Sequence, residues 1–244
     1  MRNNKHLRFL VGQLKKLSFR RTAALYIGCG FNWGYAVFKM FMSLLFASPW
    51  HGAIAFYYVV LGMMRFVLIR NKHEADQLTD EAQRALYEYY GYRQCGYMMF
   101  ALNACATGIV VQVIRHNQSF NYPRFIIGVY AVYALVMLNI AFRNFVIYRN
   151  YHSPNFSAAK IITFSMALMS ILSLQTAMFA QFGGGSFEHG QTLNISLSCI
   201  ICLTLFGMAI FMIVKASKEI DRLTNITAAQ AASDELQKTQ MQKN

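Results

Sequence analysis

The sequence has few charged residues and very few prolines. Charged side chains make up 14% of the 244 residues, and there are only 10 acidic residues, 3 prolines and 5 cysteines. A soluble domain has about 25% charged residues, so this composition excludes an ordinary soluble globular protein. The apolar residues occur in long stretches, which also excludes a disordered chain, a collagen-like chain and a small disulfide-rich scaffold.

The residues that are abundant predict a membrane protein. Hydrophobic residues are 56% of the chain, with 20 Phe and 14 Tyr. A helix needs about 20 mostly apolar residues to cross a bilayer core of about 30 Å. Six stretches meet this requirement: Ala23–Ala47, Gly52–Ile69, Gly96–Ile114, Phe125–Tyr148, Ile161–Gln181 and Thr192–Val214. No alternating pattern of a membrane barrel occurs. We therefore predict an all-α integral membrane bundle of six transmembrane helices, arranged as three hairpins within residues 22–214.

The basic residues predict the orientation of this bundle. Twenty of the 23 lysines and arginines precede the first span, lie around the second-to-third and fourth-to-fifth connections, or follow the sixth span. Only Arg115 and Arg124 fall on the opposite side, and Lys39 lies within the first span. By the positive-inside rule, both termini are cytoplasmic. The formal charge of +13 is then explained by anionic lipid headgroups, to which each nearby basic residue contributes roughly 1 kcal/mol, and not by nucleic acid.

Three segments lie outside the predicted spans. Residues 1–21 form a basic amphipathic segment, which we expect to lie in the cytoplasmic headgroup layer. Leu78–Tyr90 is predicted to be a short cytoplasmic helix capped by Thr79 or Asp80. Residues 215–244 are predicted to extend the last span briefly and then to fray as a short polar cytoplasmic tail.

The predicted spans contain no aspartate, glutamate or histidine. A buried metal site or a carboxylate proton relay therefore has no evident ligands, since divalent cations need several oxygen, nitrogen or thiolate donors. The single C-x-x-C pair of Cys199 and Cys202 is a weak metal or redox signal, and small apolar packing residues explain the cysteines better. No nucleotide-binding glycine signature, G-x-S-x-G or H-E-x-x-H motif occurs. We therefore predict no metal, no cofactor and no enzymatic activity.

One face of the first span carries the strongest candidate residues. Asn32, Lys39 and Ser43 follow one another at steps typical of one helical face, with the small residues Gly28 and Ala36 between them. An ionisable residue inside a membrane is costly and is a functional candidate by default. The face either lines a cavity that binds an anionic or carbonyl-rich solute, or packs closely while Lys39 snorkels outward or binds neighbouring carbonyls.

Span five carries a second polar face. Ser170, Ser173 and Thr176 lie close together on it, and they either line a polar path or allow close helix packing. Arg65 and Arg143 lie near the predicted cytoplasmic ends of spans two and four, where snorkelling explains both.

Several stretches resemble an uncharacterised family of six-span membrane proteins from Gram-positive bacteria. They are Asn32-Trp-Gly-Tyr-Ala-Val-Phe-Lys39, Tyr57-Tyr58 through Arg65, Ser153-Pro through Lys160, and Ser170-Ile-Leu-Ser-Leu-Gln-Thr-Ala-Met178. Together they touch most of the membrane part. This resemblance implies a six-span fold in a bacterial plasma membrane and implies no activity.

The chain also resembles, more faintly, the cation diffusion facilitators, which have six spans and two cytoplasmic termini. Ser48 and the Gly91-Tyr-Arg93 stretch carry this resemblance. The family's aspartates in span two would fall near Ala55 and Val59, and span five has no H-x-x-x-D. The family's long cytoplasmic metal-sensing domain is also missing. The resemblance therefore implies the scaffold without its metal site.

Two functions follow from these observations as hypotheses. The first is a transporter-like protein that moves a small solute other than a coordinated metal ion, and a homodimer is a possible assembly. Its pathway would be lined by Asn32, Lys39, Ser43, Ser170, Ser173 and Thr176. The second is a non-transporting scaffold or regulatory subunit that binds a partner protein, which the missing intramembrane acids and the mixed-charge loop at residues 70–93 favour.

Overall fold

The computed structural model describes residues 3–45, 49–115, 124–147, 153–182 and 187–242. These residues form six helices and no strand, which confirms the all-α prediction. The helices are α1 (Asn3–Leu45), α2 (Pro49–Gln77), α3 (Glu81–Arg115), α4 (Arg124–Ile147), α5 (Pro154–Phe182) and α6 (Phe187–Gln242). The Gly183–Gly185 run and the loop at 116–123 lie outside the described residues.

Four of the helices in the described part of the chain are long and apolar enough to cross a membrane. These segments are His51–Gln77, Glu81–Val111, Pro154–Thr176 and Ile195–Ala229. A shorter apolar segment, Ala131–Arg143, lies within α4. A chain with several helices of this length and hydropathy is a membrane protein.

Three helices form the centre of the bundle. α2, α3 and α5 pack against one another, while α1 packs on α2, α4 packs on α5, and α6 packs on α3 and α5. Fully buried apolar side chains fill the space between them, among them Tyr57, Leu61, Met64, Leu68, Met99, Leu102, Ile162, Met169, Leu172 and Leu205. The outer helices expose large apolar side chains instead, such as Leu44, Phe142 and Leu203. Apolar side chains facing outward on this scale suit contact with lipid and not with water.

The connection between α2 and α3 differs from its prediction. Residues 81–90 do not form a separate helix, because α3 runs without a break from Glu81 to Arg115. Asp80 caps this helix, since its carboxylate accepts a 3.0 Å hydrogen bond from the Ala82 N–H. Gly91 lies within α3 where a Cβ would overlap the Asn71 amide of α2. The glycine therefore allows the two helices to approach closely without ending α3.

The C-terminal segment is also more helical than predicted. α6 continues to Gln242, well past the brief extension that the polar composition suggested. Residues 227–242 consist mainly of alanine, glutamine, lysine, glutamate and leucine. These residues have high helix propensity, so a helix started in the span is able to propagate through them.

Candidate functional site

The polar face predicted on α1 points into the protein. Asn32 is 0% exposed, Ala36 2% and Lys39 3%, and α1 packs along α2 on this side. Ser43 is half-buried and lies beside Gly52 of α2, where a Cβ would come within 3.0 Å of its hydroxyl oxygen. Lys39 therefore does not extend outward to the surface, as the snorkelling interpretation required.

Asn32 and Lys39 have distinctive surroundings. The Lys39 Nζ lies 5.4 Å from the centre of the Tyr35 ring, at cation–π distance. Both polar atoms of the Asn32 amide are buried and have no hydrogen-bond partner among the described residues. An unpaired buried polar group costs about 1–3 kcal/mol. A side chain kept at that cost is a candidate for contact with a transient ligand or with water.

A second cation, Arg65, is buried on the opposite helix of the same hairpin. Its side chain is 6% exposed, and its Nη2 donates a 3.2 Å hydrogen bond to the Thr163 hydroxyl of α5. The same nitrogen lies 3.4 Å from the Met166 sulfur. Its Nε has no partner among the described residues. The snorkelling prediction for Arg65 is therefore wrong, because the guanidinium reaches across the bundle to α5 instead of toward the surface.

Gly28 makes room for this arginine. A Cβ built at Gly28 would overlap the Arg65 Nη1 atom, whereas one built at Gly30 would meet nothing within 4 Å. The backbone of α1 thus forms one wall of the guanidinium site. Larger side chains at position 28 would displace the guanidinium from its bond to Thr163.

Arg65 has no carboxylate partner in the described part of the protein. Its buried polar side chains are Asn32, Lys39, Arg65, Asn71, Asn155, Thr163, Ser165, Ser170, Thr176 and Ser198, with no aspartate or glutamate among them. The ion pairs that the structure shows lie in the more polar parts of α2, α3 and α6, as between Arg70 and Glu74 or Arg222 and Glu219. The interior of the described bundle is therefore electropositive. An anion that enters would supply the missing charge.

A cavity of about 480 Å³ opens beside Arg65. It lies between α1, α4 and α5, and its walls are apolar except near Arg65, Lys160 and Thr163. Its remaining lining residues are Ala24, Leu25, Ile27, Gly28, Phe31, Val136, Met137, Ile140, Phe156, Ala159 and Met166. Its size falls in the range of small-molecule sites, roughly 300–1,000 Å³. The cavity therefore combines the buried guanidinium of Arg65 and the half-buried Lys160 with an apolar volume able to hold part of a ligand.

The polar residues predicted on α5 do not line this cavity. Ser170 donates a 2.7 Å hydrogen bond to the Ala167 carbonyl, and Thr176 donates a 2.9 Å bond to the Leu172 carbonyl, both within α5. Ser173 is half-buried. Because α2 packs between α1 and α5, the two predicted polar faces are not brought together. The polar α5 residues that reach the site are Lys160 and Thr163.

A tyrosine cluster joins α1, α2 and α4 between the two cations. The hydroxyl oxygens of Tyr58 and Tyr133 are 2.8 Å apart. The Tyr35 ring lies 4.4 Å from that of Tyr58 and stacks on that of Tyr133 at 5.6 Å, measured between centroids. This cluster fixes α4 to the α1–α2 hairpin, and so holds one wall of the cavity in place. No spacing within one helix predicts this cluster, since only the fold brings these rings together.

The cysteines show no pairing. Cys199 is exposed and Cys202 is half-buried, and both are free. Within the described residues, no group of three or more His, Cys, Asp or Glu side chains lies close enough to hold a metal ion.

Comparison with protein-family models, with curated proteins and with solved structures finds no match for this chain. The two resemblances noted in the sequence therefore stay predictions. The candidate site is therefore defined by its own geometry. It consists of the buried guanidinium of Arg65, the buried ammonium of Lys39, and an apolar cavity beside Arg65.

Proposed function

We propose that the chain is a six-span protein of a bacterial plasma membrane with both termini in the cytoplasm. Four long apolar helices support this membrane placement. α1 and α4 would supply the other two spans, because each exposes a row of large apolar side chains, including Ile27, Val37 and Leu44 on α1 and Val132 and Leu135 on α4. A face of this kind is stable against lipid tails.

Within that placement, we propose that the protein is transporter-like and moves an anionic solute. The observation that carries the proposal is Arg65: a guanidinium buried in the bundle, with an unpaired Nε and no carboxylate partner among the described residues. A charge in this position is expensive unless an opposite charge reaches it for at least part of the time. A solute with a carboxylate or phosphate group would satisfy the guanidinium bidentately.

Asn32 and Lys39 would continue the path from Arg65. Gly28 contacts the Arg65 guanidinium, and Lys39 lies eleven positions farther along the same helix, or about 16 Å at 1.5 Å per residue. Asn32, with its unpaired amide, lies between them. Asn32 and Lys39 from α1 and Arg65 from α2 would give an anion successive binding sites along the α1–α2 interface.

The test is flux through proteoliposomes that contain the full-length protein. Two probes are used, labelled inorganic phosphate and phosphatidylglycerol with a fluorescent acyl chain, and each is compared with empty liposomes. We expect the flux of at least one probe to exceed that of empty liposomes. Arg65→Gln and Lys39→Met should each lower that flux at least tenfold, since each removes a charge-assisted contact of about 1.5–3 kcal/mol.

Arg143→Gln is the matched control, since Arg143 lies exposed on α4. Its flux should equal that of the wild-type protein. Equal flux in the wild-type protein, Arg65→Gln and Lys39→Met, with every variant monodisperse in detergent, would contradict the proposal. So would flux of neither probe.

The alternative function, a scaffold that binds a partner protein, is supported less well. It drew on the mixed charges at residues 70–93, yet Asp76 is paired with both Lys72 and Arg84, and Glu88 accepts a 2.6 Å hydrogen bond from Ser153 at the start of α5. These charges join segments of the same chain. Recovery of a stoichiometric partner from native membranes, together with no anion flux, would favour the scaffold.

A further inference from the structure

We infer that the cavity between α1, α4 and α5 binds an anionic amphiphile, with its charged headgroup at Arg65 and Lys160 and its apolar tail between α1 and α4. The inference deepens the proposed function, because it assigns a substrate class to the same Arg65 site. It rests on that function only in placing an anion at Arg65, and it does not require the anion to be moved. Three observations carry it: charge, wall chemistry and position along the helices.

The charge is concentrated at one end of the cavity. Arg65 and Lys160 both line it, and the Arg65 Nε has no partner among the described residues. Thr163, three positions after Lys160, accepts a hydrogen bond from the guanidinium and donates one of 2.9 Å to the Ala159 carbonyl. The threonine thus orients the guanidinium, whose buried Nε keeps no partner among the described residues. A phosphate or carboxylate oxygen is the acceptor that this edge fits best.

The rest of the wall is apolar and opens sideways. Ile27 and Phe31 of α1 and Val136 and Ile140 of α4 line the cavity, and they are 72%, 42%, 48% and 41% exposed, respectively. Residues that line a cavity while remaining exposed form its mouth. This mouth faces outward between two outer helices, where the proposed bilayer lies. A ligand entering there crosses no polar surface, which suits an acyl chain and not a hydrated ion.

The position of the cations matches the depth of a lipid headgroup. Lys160 lies six residues after the start of α5 at Pro154, about 9 Å along the helix, and Arg65 lies five residues before Arg70, about 7 Å along α2. Lys160 is therefore close to the start of α5, and Arg65 lies close to the cytoplasmic end of the predicted second span at Ile69, although α2 itself continues to Gln77. Phe31 and Val136 lie farther toward the middle of the bundle, which is where the tail of an inserted amphiphile would extend.

A free anion is the other occupant that the charges allow, and the walls argue against it. A hydrated phosphate at Arg65 would leave the apolar mouth unused and would have to cross it after losing its water. An amphiphile uses both parts of the cavity at once. Its tail displaces poorly hydrated apolar surface while its headgroup compensates the buried guanidinium.

The test is native mass spectrometry of the purified full-length protein in detergent. Three probes are compared at equal concentration: phosphatidylglycerol, phosphatidylcholine with the same acyl chains, and glycerol 3-phosphate. We expect retained phosphatidylglycerol to exceed retained phosphatidylcholine at least tenfold, because of the two lipids only phosphatidylglycerol has a net negative charge. Glycerol 3-phosphate, which has the charged group without the tail, should be retained at least tenfold less than phosphatidylglycerol.

Two pairs of variants separate this site from lipid bound around the protein. Arg65→Gln should lower phosphatidylglycerol retention about tenfold, whereas Arg143→Gln on the exposed surface of α4 should not change it. Val136→Trp fills the mouth and should lower retention several-fold. Leu135→Trp, one position away, 66% exposed and not in the cavity lining, should leave it unchanged. If Val136→Trp does not fold, Ile140→Trp replaces it.

Each contrary result has a distinct meaning. Equal retention of the two lipids, or an unchanged value in Arg65→Gln, overturns the inference and leaves ordinary surrounding lipid as the explanation. If glycerol 3-phosphate binds as tightly as phosphatidylglycerol and the tryptophan variants have no effect, the inference of an amphiphilic ligand is overturned. The proposed function in anion transport is then not affected. Arg65-dependent lipid binding without flux in liposomes contradicts the proposed function and supports the inference.

Discussion

Replacing Gly28 by alanine gives a sharp test of the Arg65 site. The new Cβ would overlap Nη1 at the far end of a flexible side chain, so the guanidinium should move while the helices stay in place. It would then lose its hydrogen bond to Thr163. Hydrogen bonds to charged groups contribute about 1.5–3 kcal/mol, and Gly→Ala in a helix returns about 1 kcal/mol. The net expected loss in the free energy of unfolding is therefore about 0.5–2 kcal/mol.

Gly30→Ala is the matched control on the same helix, because a Cβ there meets nothing within 4 Å. This variant should be stabilised by up to about 1 kcal/mol from helix propensity alone. The two alanine variants should thus differ by about 1.5–3 kcal/mol. In a thermal unfolding assay in detergent, that difference corresponds to about 3–12 °C in Tm at 2–4 °C per kcal/mol.

A double-mutant cycle checks the cause of this difference. In an Arg65→Ala background, no guanidinium remains to be displaced, so Gly28→Ala should then behave like Gly30→Ala. The coupling between positions 28 and 65 should be about 1.5–3 kcal/mol. Additive effects, or equal Tm values for the two single alanine variants, would refute the placement of Arg65 against Gly28.

Two further predictions concern the helix contacts around the site. Tyr58→Phe and Tyr133→Phe should each destabilise the protein by about 1–3 kcal/mol in the same unfolding assay, because each leaves one hydroxyl of the 2.8 Å pair unsatisfied. The double variant should lose less than the sum, and a strictly additive loss would contradict the contact. Asp80→Ala should cost about 1 kcal/mol, because it removes the 3.0 Å cap on the Ala82 N–H; Thr79→Ala should cost less than half as much, and equal losses would show that Asp80 is not the cap.

The local features of the fold could be predicted from the sequence. The face of α1 that includes Asn32, Ala36 and Lys39 follows from helical spacing, and these residues are all buried. Their spacing could not tell what covers them. α2 packs against this face in the structure, whereas the alternative predicted from the sequence was a solute-binding cavity along it. A cavity with walls from α1 and α5 exists, but it lies beside Arg65, and Lys39 is not among its lining residues.

The predicted helix boundaries were wrong where the sequence changes from apolar to polar within one continuous helix. Polar residues at 81–90 and at 227–242 predicted a separate helix and a fraying tail, yet α3 and α6 run through both segments. A change from apolar to polar composition marks where a helix leaves the membrane. It does not mark where the helix ends, because propagation needs only residues of good helix propensity and no breaker.

The snorkelling prediction for Arg65 was wrong for a different reason, which concerns the register of the α1–α2 hairpin. An arginine near the end of a span is ordinarily explained by snorkelling, because its own helix offers no other information. Only three residues separate Leu45 from Pro49, so positions at distances from this connection that agree to within one residue face each other in an antiparallel pair. That relation places Ser43 beside Gly52 and Gly28 beside Arg65, as the structure does. The signal was therefore present as a glycine opposite an arginine. What the register does not give is Thr163 on α5, ninety-eight positions away in sequence, and it is this contact that turns the guanidinium inward. A polar residue of one hairpin becomes part of a site when a second hairpin supplies its partner. That pairing depends on how the two hairpins pack against each other. The spacing of residues within either hairpin does not encode this packing.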